Sequence, residues 1–217
     1  MNKGVLFFVF AMIIAVGAFA QEENEAIQEL KKRRYEIGVG YHSITETQKA
    51  SGVEFKTTMP SFAINFAGAN FFTEKFGFAS YVNFLFPQEM TLSAQGQSVT
   101  VDKDDFDFLF ALDILIGPAF MLHRTKNFYL PLTVGFHYLM MFQDLYKISS
   151  ITTEIGLGAN ITGEYHFNPN IYVYGRLQFS LDLYAWGTVS SGYASAKTSG
   201  DLSTFGIEPC IGLGFQW

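Results

Sequence analysis

The chain has 217 residues, 49% of them hydrophobic and 17% aromatic, with only 16% charged and a formal net charge of −6. That length suits one domain, and the charged fraction lies well below the roughly 25% typical of soluble domains. The negative balance argues against nucleic-acid binding, which needs a basic surface; the single cysteine, Cys210, rules out a disulfide framework within the chain.

The first residues, "MNKGVLFFVFAMIIAVGAFA", read as a secretory signal peptide over 1–20. Lys3 is the positive n-region, Val5 to Val16 the apolar h-region, and Ala18-Phe19-Ala20 the small-residue cleavage site. The run is short for a membrane anchor. Cleavage would start the mature chain near Gln21, where no cysteine is present to be lipidated. Beyond Ala20 no run of about 18 apolar residues predicts a helical span.

Residues 21–34 are expected as a periplasmic N-terminal segment. Ala26, Ile27 and Leu30 have helical spacing, with acidic residues first and basic residues last, as the helix dipole favours. Lys31, Lys32, Arg33 and Arg34 then fall just before the first strand, within reach of lipid phosphates.

From Tyr35 to Trp217 the chain alternates in eight segments, each with one apolar and one polar or small face. The first sets Tyr35, Ile37, Val39 and Tyr41 against Glu36, Gly38, Gly40 and His42. The second, near 60–68, sets Phe62, Ile64 and Phe66 against Ala63 and Asn65. The third, near 75–86, sets Phe76, Phe78, Val82 and Phe84 against Gly77, Ala79, Tyr81 and Asn83. In the fourth, near 106–117, Phe106, Phe108, Phe110, Leu112, Ile114 and Ile116 oppose Asp107, Ala111, Asp113 and Gly117.

The fifth, near 128–142, has Leu130, Leu132, Val134, Phe136 and Tyr138 against Thr133, Gly135 and His137. In the sixth, near 150–165, Ile151, Ile155, Leu157 and Ile161 oppose Thr152, Glu154, Gly156, Gly158, Asn160, Thr162 and Glu164. The seventh, "IYVYGRLQFSLDLY", puts Tyr172, Tyr174, Arg176, Gln178, Ser180, Asp182 and Tyr184 on its polar face. The eighth, near 203–217, sets Phe205, Ile207, Ile211, Leu213, Phe215 and Trp217 against Gly206, Glu208, Gly212, Gly214 and Gln216. Pro209 interrupts this last strand, and a bulge at Glu208–Cys210 would accommodate it.

Long polar segments follow strands one, three and seven, and short ones follow two, four and six. That asymmetry fits a transmembrane barrel with periplasmic turns and surface loops near 45–58, 87–105 and 186–202. The lumen of an eight-stranded barrel is just wide enough for side chains to fill. Small and polar residues therefore fit inside, and the Phe, Leu, Ile and Val faces belong in lipid. Every strand charge supports this by parity: Asp107, Asp113, Glu154, Glu164, Arg176, Asp182 and Glu208 all lie on the polar face, and Arg at the bilayer midplane would cost about 2–4 kcal/mol.

The terminal "CIGLGFQW" resembles the C-terminal signal by which outer-membrane barrels are recognised for assembly, carried here by Gly212, Phe215 and Trp217. Over about 35–217 the strand and loop pattern resembles the small eight-stranded outer-membrane barrels of the outer membrane protein X, protein A and protein W groups. The resemblance implies an all-β, antiparallel, up-and-down transmembrane barrel in the outer membrane. Its implied partners are outer-membrane lipid and the barrel assembly machinery, with a host or surface ligand reached through the loops.

Within the lumen Arg176 is expected to be paired, because an unpaired buried charge is strongly disfavoured. Glu164 is the expected nearest partner, with Glu154, Asp182, Glu208, Glu36, Asp113 and Asp107 as further members of the network. Membrane-interface aromatics are expected at Tyr35, Tyr41, Phe76, Phe106, Tyr138, Tyr165 and Trp217, joined at the periplasmic level by Phe71, Phe128, Tyr129 and Phe167. His42, His123, His137 and His166 show no metal-ligand spacing. No metal, cofactor or catalytic residue is expected, since adjacent His42 and Ser43 point to opposite faces. Three functional classes follow: a surface interaction protein with a plugged lumen, a narrow channel or transporter for ions or small hydrophobic molecules, and a lipid-modifying rim enzyme.

Overall fold

The computed structural model describes residues 33–50, 53–191 and 194–217. The expected signal peptide and most of the N-terminal segment lie outside the described residues. The strands are β1 (Arg33–Ala50), β2 (Val53–Phe71), β3 (Phe76–Pro87), β4 (Glu89–Ala94), β5 (Gln97–Asp102), β6 (Phe108–Arg124), β7 (Phe128–Leu145), β8 (Ile148–Asn168), β9 (Ile171–Ser191) and β10 (Ala194–Gln216). Eight of them form a closed antiparallel ring, β1-β2-β3-β6-β7-β8-β9-β10, sealed by the pairing of β10 with β1. Arg33 and Arg34 are thus part of the wall and do not precede it.

Period-two alternation sets the inside and the outside. Tyr35, Ile37, Val39 and Tyr41 are about half exposed, whereas Glu46, His42, Asn65, Asp113, Glu154 and Glu208 are buried. The outward positions from Tyr35 to Ser43, and at the same level on the other seven ring strands, hold no charged residue. Phe136 is 78% and Ile211 68% exposed, which water would penalise and hydrocarbon would not. The barrel is therefore a transmembrane one.

Periplasmic turns are tight and capped by side chains. Thr73 Oγ1 accepts from the Phe76 N–H (3.0 Å), and Thr125 Oγ1 from the Phe128 N–H (3.1 Å). Asn168 Oδ1 accepts from the N–H groups of Asn170 (2.8 Å) and Ile171 (3.0 Å), the Asx-turn arrangement.

At the other end, the segments expected as loops are largely strand. β1 and β2 stay paired as far as Ala50 and Val53, and β9 and β10 as far as Ser191 and Ala194. β4 and β5 form a hairpin over the expected loop 87–105, turning at Gln95 (φ 50°) and Gly96 (φ 79°), with β4 docked on Phe55–Thr58 of β2. A second two-residue turn, Tyr146 and Lys147, joins β7 to β8. Polar Ser/Thr-rich sequence looked like loop, but cross-strand pairing holds it extended. Spanning requires about 9–11 residues per strand. β3, with 12, does little more than cross, while β8 and β9 have 21 each and β10 has 23.

Three interruptions of the ladders coincide with prolines, which lack the N–H a ladder needs. β1 and β10 keep register from Gly40↔Cys210 to Ser43↔Ile207, with a gap at Pro209. The bulge expected at Glu208–Cys210 does not form; β10 shifts register instead between Asp201 and Thr204. β6 and β7 likewise skip Pro118, and β7 and β8 skip Pro131. At Gly117 and Gly135 the two strands approach so closely that a Cβ on either residue would collide with the other's backbone. One further departure is a bulge at Leu183 of β9, which reverses parity: Ala185 faces in and Tyr184 faces out, where strict alternation had put Tyr184 inside.

Candidate functional site: a layered polar lumen

The lumen is filled in four layers. At the periplasmic floor, Arg34 Nη1 donates to Glu164 Oε1 at 2.8 Å, and His166 Nε2 lies 3.0 Å from Glu164 Oε2. The Arg34 guanidinium sits 5.1 Å from the ring centres of both Phe71 and Tyr129. His166 is held between Tyr129 (4.0 Å) and Tyr172 (4.6 Å, stacked).

Above the floor, Arg176 Nη1 donates to Glu36 Oε2 at 3.3 Å, and the Tyr172 hydroxyl donates to Glu36 Oε1 at 3.1 Å. The guanidinium lies over Tyr81 (4.9 Å) and Tyr174 (5.4 Å) and reaches Cys210 Sγ at 3.6 Å. Tyr172 and Tyr174 fill space left by glycines on neighbouring strands. A Cβ on Gly214 would strike the Tyr172 ring, and one on Gly38 or Gly212 the Tyr174 hydroxyl.

The third layer centres on Asp113. Its Oδ1 accepts from Asn83 Nδ2 (3.0 Å) and Gln178 Nε2 (2.9 Å), and its Oδ2 from His137 Nε2 (2.8 Å). The other ring nitrogen of His137 meets Asp182 Oδ1 at 2.8 Å. His42 Nδ1 lies 3.6 Å from Asp113 Oδ2 and 2.9 Å from Glu208 Oε2. Asn65 Nδ2 donates to Asn83 Oδ1 (2.8 Å) and to Glu208 Oε1. Glu154 is buried nearby in the same half of the barrel.

The fourth layer is apolar. Ile44, Met59, Ala63, Leu85, Ala111, Leu139 and Met141 pack together beneath Met90 of the β4–β5 hairpin, with Phe106 and Leu109 against them.

Several expected roles are redistributed. Arg176 pairs with Glu36, and Glu164 is taken by Arg34, a residue expected at the membrane surface. Asp182, Glu208 and Asp113 belong to the histidine-bearing layer and Glu154 is buried opposite Leu139 in register, so the lumen holds two ion-pair clusters where one was expected. Asp107 lies outside β6, exposed, its N–H bonded to the Asp144 carbonyl. Phe106 packs on the apolar cap, and Phe71 and Tyr129 line the floor, leaving the outer face to Tyr35, Tyr41, Phe76, Phe128, Tyr165, Phe167 and Trp217; Tyr138 is half-buried on that face. Of the C-terminal residues, Phe215 and Trp217 point outward and Gly212 inward, with Trp217 stacked on Tyr35 at 5.0 Å. Parity placed His42, Asn65, Asn83 and Gln178 inside. Their meeting depends on strand tilt and shear, which no single strand encodes.

No family model and no curated protein matches this sequence. Among solved structures the chain is similar to the outer membrane protein OprG from Pseudomonas aeruginosa, at 13% identity over 88% of this chain and 99% of that one, with a TM-score of 0.61. It is also similar to the outer membrane protein AlkL determined in DMPC lipid bilayers, at 11% identity over 91% and 97%, with a TM-score of 0.53. At these identities the likeness is one of fold. Fold and lipid-facing exterior together define a small eight-stranded outer-membrane β-barrel.

Proposed function

We propose that this barrel is a surface interaction protein with a plugged lumen, delivered by an N-terminal signal peptide and the C-terminal residues Gly212, Phe215 and Trp217. The observation that carries the reading is the cross-lumen bonding: Arg34 of β1 meets Glu164 of β8, Arg176 of β9 meets Glu36 of β1, and Gln178 of β9 meets Asp113 of β6, linking non-adjacent strands at successive heights. Partners would be met by the tall strand extensions. β5 ends the sheet as a free edge, with exposed residues from Gln97 to Thr100, and unpaired strand edges accept extended peptide segments.

Planar-bilayer recording tests the plug. The native refolded barrel is expected to be silent, and steady cation-selective current from it would overturn the reading. Peptide display against the purified barrel tests the edge: selected extended peptides should lose binding when 89–102 is replaced by a short Gly-Ser turn.

A second reading, capture of a small hydrophobic molecule, is favoured by the apolar cap alone. Its methionines, Met59, Met90 and Met141, are side chains that adapt readily to guests. Saturable uptake of an apolar fluorophore that Met90→Asp abolishes would favour it over peptide recognition.

A further inference from the structure

We propose that His42, Asp113 and Glu208 form a binding site for a first-row divalent cation, of which zinc is the best-matched representative. The three residues come from β1, β6 and β10 and converge inside the lumen, all buried, with one donor atom from each within 4.8 Å of the others. His42 Nδ1 stands 2.9 Å from Glu208 Oε2 and 3.6 Å from Asp113 Oδ2. A tetrahedral zinc with nitrogen and oxygen ligands at about 2.0–2.2 Å places its ligand atoms about 3.3 Å apart. The two observed separations bracket that figure, and the third, between the carboxylates, lies within 4.8 Å.

Two of the three donor atoms have only each other. His42 Nδ1 and Glu208 Oε2 are buried and face each other at 2.9 Å, yet neither has the alignment of a hydrogen bond with the other or with a third group. An unmade bond between such groups is costly, and a metal ion between them would satisfy both lone pairs. Asn65 Oδ1, on the amide whose Nδ2 touches Glu208, is likewise buried without a partner.

The charge balance points the same way. The floor and the layer above it pair Arg34 and Arg176 with Glu164 and Glu36. The histidine layer holds Asp113, Asp182 and Glu208, and among the described residues no lysine or arginine forms a salt bridge with any of them. With His42 neutral, as a metal ligand must be, and His137 protonated, the three carboxylates that touch these imidazoles, Asp113, Asp182 and Glu208, leave two uncompensated negative charges. Buried charge of one sign is disfavoured, and one divalent cation neutralises it. The imidazole selects a borderline metal over calcium or magnesium, which prefer all-oxygen cages.

The surrounding shell is already built. Asp113 presents Oδ2 while Asn83 and Gln178 hold its Oδ1, and Glu208 presents Oε2 while Asn65 holds its Oε1. Such outer partners orient metal-binding carboxylates. His137, on the adjoining strand β7, bonds Asp113 Oδ2 and Asp182 and leaves the second lone pair of that oxygen for a metal.

The test uses the full chain without a polyhistidine tag, refolded in detergent, stripped with a chelator and incubated with zinc. Metal is counted after desalting, and affinity is read by competition with a chromophoric chelator. The native barrel should retain one zinc per chain. His42→Ala and Glu208→Gln should each bind at least tenfold more weakly while keeping the heat-modifiable folded band, and His123→Ala should behave as native. Glu208→Gln preserves side-chain shape and carries the test alone if His42→Ala does not fold. Less than stoichiometric zinc on the folded native barrel, undiminished zinc in Glu208→Gln, or calcium held as firmly as zinc would each overturn the assignment.

Discussion

Arg34 and Glu164 meet across the barrel floor at 2.8 Å, one from the first strand of the ring and the other from the eighth element, β8. Both are almost wholly buried. Breaking a buried pair on one side strands the remaining charge, at a cost of about 3–5 kcal/mol. Arg34→Ala is therefore expected to lower the urea midpoint of the lipid-refolded barrel strongly. Arg34→Met with Glu164→Leu should recover most of that loss, because no charge is left unpaired. A single mutant as stable as the native protein would show the pair to be dispensable.

Arg176 occupies the layer above, bonded to Glu36 and laid over Tyr81 and Tyr174. Arg176→Ala removes the largest side chain of that layer. Single-channel recording should then show cation-selective openings absent from the native barrel, since Glu36 is left facing the gap. Silence from both proteins would place the seal in the apolar cap.

Tyr172 leans over Gly214 so closely that any Cβ there must displace the ring. Overpacking of this kind costs about 1–3 kcal/mol. Gly214→Ala should destabilise the folded barrel by that amount in a urea titration, and the double variant with Tyr172→Leu should be less affected than the sum of the two.

Trp217 stacks on Tyr35 at the periplasmic rim. Refolding of Trp217→Ala into detergent micelles should remain efficient, because the residue is exposed and its loss opens no cavity. In cells the same variant should accumulate outside the outer membrane if the C-terminal residues serve assembly. Normal membrane levels would remove that role from Trp217.

Strand number, the inside–outside assignment and the lipid-facing belt were legible because each depends only on parity within one strand. Parity failed where the backbone adds a residue: the bulge at Leu183 turned Tyr184 outward. It also could not say who meets whom. Glu164 looked nearest to Arg176 by counting around the turn at 169–170, yet tilt brings it to Arg34, whose basic neighbours made it look like a surface residue. His42 and His137 showed no local metal or catalytic spacing, since their partners come from β6, β9 and β10. The Ser/Thr-rich outer segments were read as loops because composition does not report pairing, and paired edges extend β8, β9 and β10 well beyond the membrane.

The gaps at Pro209 and Pro118 fall between β10 and β1 and between β6 and β7, two places diametrically opposed on the ring. Taken as seams, these two divide the wall into four-stranded shells, β1-β2-β3-β6 and β7-β8-β9-β10, with the Pro131 gap lying inside the second between β7 and β8. Polar contacts of the lumen join one shell to the other at successive heights: Arg34 to Glu164, Glu36 to Arg176, Asp113 to Gln178, Asn65 to Glu208. The barrel is built like a bivalve, with proline-marked seams where amide protons should exchange fastest. The polar filling acts as its adductor, so loosening that filling would let the shells part before either one unravels.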